Sequence, residues 1–218
     1  VQVWPMDVPR DLYHTDWVAD RTLAWLGEQG QSPWFCWMSF PDPHHPWDVP
    51  RSELHRVNWR DLDLPPAYLD GDEARRVLGS KPKHWLGYYE ASLWSNLESP
   101  RDYVPADMTP DQVREINAMT HIENELIDEA CQRVIDYLKA HDLFDHTDIF
   151  FTTDHGELQG DYGLMFKGPY HVDALMRLPF IWKPGQIGVE PQVIDEPVGH
   201  VDLAPTFCAI AGIEPEHM

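Results

Sequence analysis

The sequence predicts an α/β domain in which a mostly parallel sheet is flanked by helices. Short, continuously apolar runs, typical of strands buried on both faces, occur at residues 33–40, 147–153 and 178–182. Helical patterns alternate with these runs along the chain, as they do in α/β domains. The length of 218 residues suits one domain with a sizeable core.

The helices are predicted from their start and stop signals. The first spans about residues 17–26, with Thr15 as the predicted N-cap and Gly30 as its end. The longest begins with a capping box at Thr109, with Pro110 in its first turn, and its apolar spacing continues to residue 141. The last is predicted between residues 202 and 212.

Residues 41–110 form an irregular, proline-rich segment that is expected to be an insertion. Helical patches are predicted at residues 72–78 and 84–93. A long connection of this kind usually serves as a lid, a binding loop or an oligomer contact, and we expect homo-oligomer contacts to use it. Its aromatic and arginine side chains either bind sugars or anions or pack locally. Residues 111–213 are expected to contain the core of the site.

The composition limits the classes of partner. The 16 basic and 37 acidic residues give a net charge of −21, which repels phosphate backbones and disfavours nucleic-acid binding. No apolar run approaches the ~20 residues that a membrane span needs, so no membrane partner is expected. Cys36, Cys131 and Cys208 are too few and too widely spaced for a disulfide scaffold or a thiolate zinc site.

Polar residues follow two of the apolar runs, at the sheet edge where ligands bind in open parallel sheets. Asp154 and His155 can together bind one divalent cation. Alternatively, Asp154 caps a helix and His155 is a polar loop residue. Lys167 follows on a loop and could contact a charged substrate oxygen or be a solvated lysine. His44 and His45 could act as acid, donor or ligand.

Several ordered motifs resemble the sulfatase family of the alkaline phosphatase superfamily. They are FFTTDHGE at residues 150–157, GDYGL at 160–164, FKGPY at 166–170, RLPFI at 177–181 and VDLAPT at 201–206. The segment SFPDPHHP at residues 39–46 resembles the His-x-Pro segment of the family. The resemblance implies an alkaline phosphatase-like fold. It also implies that residues 1–218 are a single partial sulfatase-like domain, incomplete at its N-terminus.

The resemblance also implies roles for individual residues. Asp154 and His155 match the family's ligands of the catalytic divalent cation, with calcium preferred and manganese, magnesium or zinc as alternatives. Lys167 matches the lysine that binds the oxygens of the ester. His44 matches the histidine that assists the leaving group or binds the transferred group, and His45 is a further candidate for substrate binding.

The family's nucleophile, a formylglycine within Cys/Ser-x-Pro/Ala-x-Arg, has no counterpart here, because none of the three cysteines fits the pattern. It is expected in an N-terminal part outside this chain, so the chain alone is expected to be inactive. The implied function of the intact protein is hydrolysis of sulfate esters, with a small-molecule or glycan sulfate or phosphate ester as substrate.

Four points stay open at this level. Phosphonate monoester or phosphodiester hydrolysis fits the same motifs, and a degenerate domain that only binds an anion or a glycan would keep them too. A superfamily mutase or phosphatase with a Thr or Ser nucleophile fits less well. The compartment, cytoplasmic or periplasmic and secreted, is undetermined.

Overall fold

Two helices packed side by side form the frame of the fold, α1 (His14–Glu28) and α4 (Pro110–Ala140). The computed structural model describes residues 3–30, 32–93, 103–186 and 188–214. Along the chain, α2 (Gly71–Gly79) and α3 (Lys83–Tyr89) come between these two helices. After α4 come the strand β1 (Ile149–Thr152), the short α5 (Asp173–Met176), the strand β2 (Phe180–Lys183) and α6 (Leu203–Ile210).

The capping signals predict the start of α4 correctly and that of α1 incorrectly. At α4, the Gln112 N–H donates to Thr109 Oγ1 over 3.2 Å, and Gln112 Oε1 accepts from the Thr109 N–H over 2.9 Å. At α1, Thr15 lies inside the helix and is fully buried. Its hydroxyl donates to Asp42 over 2.6 Å, so a tertiary contact replaces the predicted cap. Gly30 follows α1 with a φ of +61°, as its predicted role requires.

The sheet differs from the parallel sheet that the apolar runs predict. In the described part of the chain it has two strands, and β1 pairs antiparallel with β2, with Ile149 opposite Lys183. Residues 33–40 are extended but join no ladder among the described residues. Phe35 and Trp37 there are exposed by 63% and 69%. An apolar run indicates burial, but a strand also needs a hydrogen-bonding neighbour, which this run lacks in the described structure.

The predicted insertion takes part in both hydrophobic cores. Trp47 and Val49 pack in the first core, against α4 and against Met165 and Phe166. The second core is formed by α2, α3 and residues 158–175, and its buried members are Ala74, Leu78, Trp85, Tyr88, Tyr89, Leu158, Leu164, Tyr170 and Leu175. Within the segment, α2 and α3 lie at the two predicted helical patches. Trp85, Tyr88 and Tyr89 pack in the second core and Tyr103 packs against Phe166, whereas Trp94 lies outside the described residues.

The three cysteines are unbonded and partly buried. Among the described helices, none combines the length and the apolar character that a membrane span requires.

Candidate active site

The turn that carries His44 and His45 packs against the aromatic side chains of Trp47 and Phe166. The two histidine rings stack with centroids 4.1 Å apart, and His45 also meets the Phe166 ring edge-on at 4.5 Å. His45 is only 7% exposed, whereas His44 is exposed at the surface. The buried imidazole therefore supports the exposed one.

His44 and Lys167, 123 positions apart in the sequence, meet directly. Lys167 Nζ lies 2.5 Å from His44 Nε2. The other ring nitrogen, Nδ1, lies 2.6 Å from the carbonyl oxygen of His45, which can only accept. Nδ1 therefore carries a proton, and Nε2 accepts from the lysine ammonium. The two side chains form one polar pair that can contact an anion.

Asp154 and His155 follow the last residue of β1 and have the geometry of a partial cation site. His155 Nδ1 lies 2.7 Å from the Gly156 carbonyl oxygen, which fixes the proton on Nδ1 and leaves the Nε2 lone pair free for a metal. That Nε2 lies 3.6 Å from Asp154 Oδ2, a separation that two ligands of one ion can have.

The carboxyl group of Asp154 is held in its ionised form. Partial burial raises its pKa, but the neighbouring His155, backbone N–H groups and the Thr153 hydroxyl outweigh burial, and the net pKa is lowered. The His155 N–H donates to Asp154 Oδ1 over 3.0 Å, and the Thr153 hydroxyl donates to the same oxygen over 3.3 Å. A carboxylate of this kind is ready to bind a cation.

The loop from Gly156 to Lys167 turns back on itself to place the lysine. Three non-glycine residues in it, Gln159, Tyr162 and Phe166, have φ between 50° and 64°. Tight backbone hydrogen bonds hold the turns, for example from the Gly160 N–H to the Leu164 oxygen over 2.9 Å. The structure thus brings together His44, His45 and Lys167 in one contact group and Asp154 with His155 in another.

The sequence did not point to His200. Its Nε2 donates to the Thr153 carbonyl oxygen over 2.9 Å, directly before the Asp154–His155 pair. The only signal in the sequence is its position just before the VDLAPT motif.

The sequence analysis also did not predict an acidic cluster next to the turn that carries His44 and His45. Asp42, Asp48 and Glu123 each place one carboxyl oxygen within 4.8 Å of the others, a spacing that could hold a metal ion. Asp42 and Asp48 flank His44 and His45 in the sequence, which was the available signal. Glu123 comes from α4, and helical periodicity alone cannot show what it faces.

Asp42 anchors this cluster to the start of α1. It accepts hydrogen bonds from the Tyr13 hydroxyl at 2.9 Å, from the Thr15 hydroxyl at 2.6 Å and from His14 Nε2 at 2.6 Å. The pKa of His14 is raised, because the bond from its ring to Asp42 outweighs the effect of burial. Burial raises the pKa of Glu123 to about 9, and the charges of Asp42 and Asp48 add to the rise.

The sequence model of the Sulfatase family matches residues 4–213, almost the whole chain. The chain belongs to the sulfatase family. It is 28% identical over 199 residues to an uncharacterized sulfatase, YidJ, of Escherichia coli, a match that covers 90% of this chain and 36% of the relative. An arylsulfatase of Clostridium perfringens is 27% identical over 225 residues, with coverage of 96% and 40%. The sulfatase-family chain thus spans well under half the length of these curated relatives.

A solved structure confirms the alkaline phosphatase-like fold of this sulfatase-family chain. The phosphonate monoester hydrolase SpPMH from Silicibacter pomeroyi superimposes with a TM-score of 0.78 at 25% identity, covering 98% of this chain and 43% of that one. The fold and family that the motifs indicate are confirmed.

The residues of this sulfatase-family chain fit a divalent cation. Asp154 and His155 supply one oxygen and one nitrogen ligand, which the common biological divalent cations accept. The acidic cluster supplies oxygen atoms only. The two groups therefore differ in donor chemistry.

Proposed function

We propose that the protein containing this sulfatase-family chain hydrolyses sulfate esters with the help of one divalent cation, preferably calcium. The observation that carries the proposal is the 2.5 Å contact between Lys167 and His44, because it builds an anion-binding pair from two distant motifs. The substrate class we propose is a small-molecule or glycan sulfate ester.

Asp154 and His155 are the proposed ligands of this cation. When bound, the cation would neutralise the charge of the ester and lower the pKa of a coordinated nucleophile. The nucleophile is expected to be a formylglycine outside this chain. Lys167 would bind the non-bridging oxygens of the ester and stabilise the charge that develops on them.

His44 is the proposed general acid, and its two ring nitrogens have different neighbours. Nδ1 faces the carbonyl oxygen of His45, and Nε2 faces the Lys167 ammonium. An anionic ester that draws the ammonium away would leave Nε2 free to take a proton from solvent. His44 would then give this proton to the leaving-group oxygen as the S–O bond breaks.

His45 was predicted to bind substrate. Its 7% exposure and its contact with Phe166 instead favour a positioning role, in which it holds the His44 ring by stacking.

The test is turnover of 4-nitrophenyl sulfate by the full-length protein. We expect Lys167→Ala and His44→Ala each to lower kcat/KM by about 10²–10³-fold, because each removes a charge or a proton from the transition state. Lys139→Ala, at an exposed position near the end of α4, is the matched control and should leave kcat/KM unchanged. Wild-type turnover in the Lys167→Ala/His44→Ala double variant would refute these roles.

Phosphonate monoester hydrolysis is the second candidate, and the superposition with SpPMH over 98% of the chain favours it. Paired rates on 4-nitrophenyl sulfate and phenyl phosphonate esters distinguish the two functions. No turnover of either ester by the metal-loaded full-length protein would favour the non-catalytic, anion-binding alternative.

A further inference from the structure

Glu123 occupies an unusual place for an acidic residue. Its side chain lies in the middle of α4 and is 0% exposed. Neither of its carboxyl oxygens accepts a well-formed hydrogen bond within the described structure, and the Asp48 backbone N–H offers it only a weak one. An acidic side chain without a partner is costly to bury, so its environment calls for a compensating positive charge or a proton.

The surroundings of Glu123 supply more negative charge instead. Oxygens of Asp42, Asp48 and Glu123 all lie within 4.8 Å of one another. His14 faces Asp42 Oδ1, and the hydroxyl groups of Tyr13 and Thr15 face Asp42 Oδ2. Three carboxyl groups therefore lie close together, and His14 is bonded to one of them.

We propose that Asp42, Asp48 and Glu123 bind a calcium ion, at a site separate from Asp154 and His155. The unpartnered oxygens of Glu123, aimed at the two aspartates, are the observation that carries the proposal.

The donor set favours calcium among the common divalent cations. All three groups offer carboxyl oxygens, which the hard cations Ca²⁺ and Mg²⁺ prefer. Mg²⁺ requires a nearly ideal octahedron and usually keeps several of its waters, whereas Ca²⁺ accepts irregular sets of protein oxygens. A partly buried cluster of three carboxyl groups therefore suits Ca²⁺ better than Mg²⁺.

A calcium ion here would have a positioning role. Asp42 and Asp48 stand on either side of His44 and His45, and Glu123 belongs to α4. The ion would link the turn that carries His44 and His45 to α4 and so hold His44 within contact distance of Lys167.

The test uses the full-length protein in an Asp154→Ala/His155→Ala background, so that both proposed ligands of the other site are removed. Titration calorimetry with CaCl₂ should then show one bound calcium ion. The melting temperature of this background variant should rise by about 2–4 °C when Ca²⁺ is present at about 100 times its dissociation constant. Adding Glu123→Gln should weaken binding by about tenfold or more, because one charged ligand is lost.

The matched control is Glu125→Gln, the same change on the same helix at an exposed position, and it should leave calcium binding intact. Terbium luminescence gives a second readout, since Tb³⁺ in this site would lie beside Tyr13 and emit on excitation of its ring. If the background variant binds no calcium, or if Glu123→Gln binds it as before, the proposal is wrong. If Glu123→Gln does not fold, Asp48→Asn is tested by the same two criteria.

Discussion

At the residue scale, Gly156 shows how a single backbone contact shapes the proposed metal loop. Its position after Asp154 and His155 suggests a sharp turn, but the structure gives another reason for glycine. A Cβ atom there would overlap the carbonyl oxygen of Ala174. The Gly156 N–H also donates to the Leu175 oxygen over 3.0 Å, so the loop is pressed against α5.

Replacing Gly156 with alanine should therefore lower the free energy of unfolding by about 2 kcal/mol or more, since two backbone segments must move apart. Urea unfolding measures this change. Gly199→Ala is the control, because nothing lies within 4 Å of a Cβ at that position, and it should stay within about 0.5 kcal/mol of wild type. Equal effects of the two substitutions would contradict the packing argument.

At the element scale, α4 does most to organise the molecule. It begins at a complete capping box, packs against α1, and contributes Ile116, Ile122 and Leu126 to the first core. It also carries Glu123 into the acidic cluster. The start of this helix is fixed by local contacts, whereas its buried face is fixed by its neighbours.

Thr109→Ala should cost about 1 kcal/mol of stability, because the Gln112 N–H loses its acceptor. Thr109→Ser keeps the hydroxyl and should recover most of that loss. Thermal unfolding followed by circular dichroism compares the three proteins. A serine variant as unstable as the alanine variant would show that the methyl group, and not the cap, matters.

At the scale of the whole molecule, an ion-pair network joins the first residues to the turn at Arg51–Glu53 and to α4. Arg10 lies 2.6 Å from Asp16 and 2.7 Å from Glu129, while Arg56 lies 2.7 Å from both Glu53 and Glu129. Burial raises the pKa of Glu53 and of Glu129, but the bonds and charges of the two arginines outweigh burial, and both values are lowered.

Acid should weaken this network. A carboxyl group whose pKa is lower in the folded state stabilises the fold above its unfolded pKa, and this stability is lost as the pH falls through the folded value. We therefore expect the free energy of unfolding to fall below about pH 4.5, the ordinary pKa of glutamate. Glu53→Gln should cost about 2 kcal/mol at pH 7 and flatten this acid dependence.

Urea unfolding between pH 3 and pH 7 is the measurement, with Glu73→Gln as the exposed control. An unchanged acid slope in Glu53→Gln would show that Glu53 does not contribute to it. The predicted homo-oligomer contact through residues 41–110 stays a prediction at this scale, and light scattering of the full-length protein tests it.

The sequence by itself determined the family, the capped start of α4, the positions of the two strands and α6, because these depend on local patterns and on motifs of adjacent residues; the antiparallel pairing of the strands it did not predict. It also singled out His44, Lys167, Asp154 and His155, whose roles stay predictions. Only the tertiary structure decided that Thr15 binds Asp42 instead of capping α1, and that residues 33–40 join no ladder in the described structure.

The structure also decided that His45 is buried behind His44, and that Glu123 meets Asp42 and Asp48. The physical reason is the same in each case. Hydrogen-bond partners, burial and the field of neighbouring charges come from residues that are distant in the chain, so local sequence patterns do not contain them.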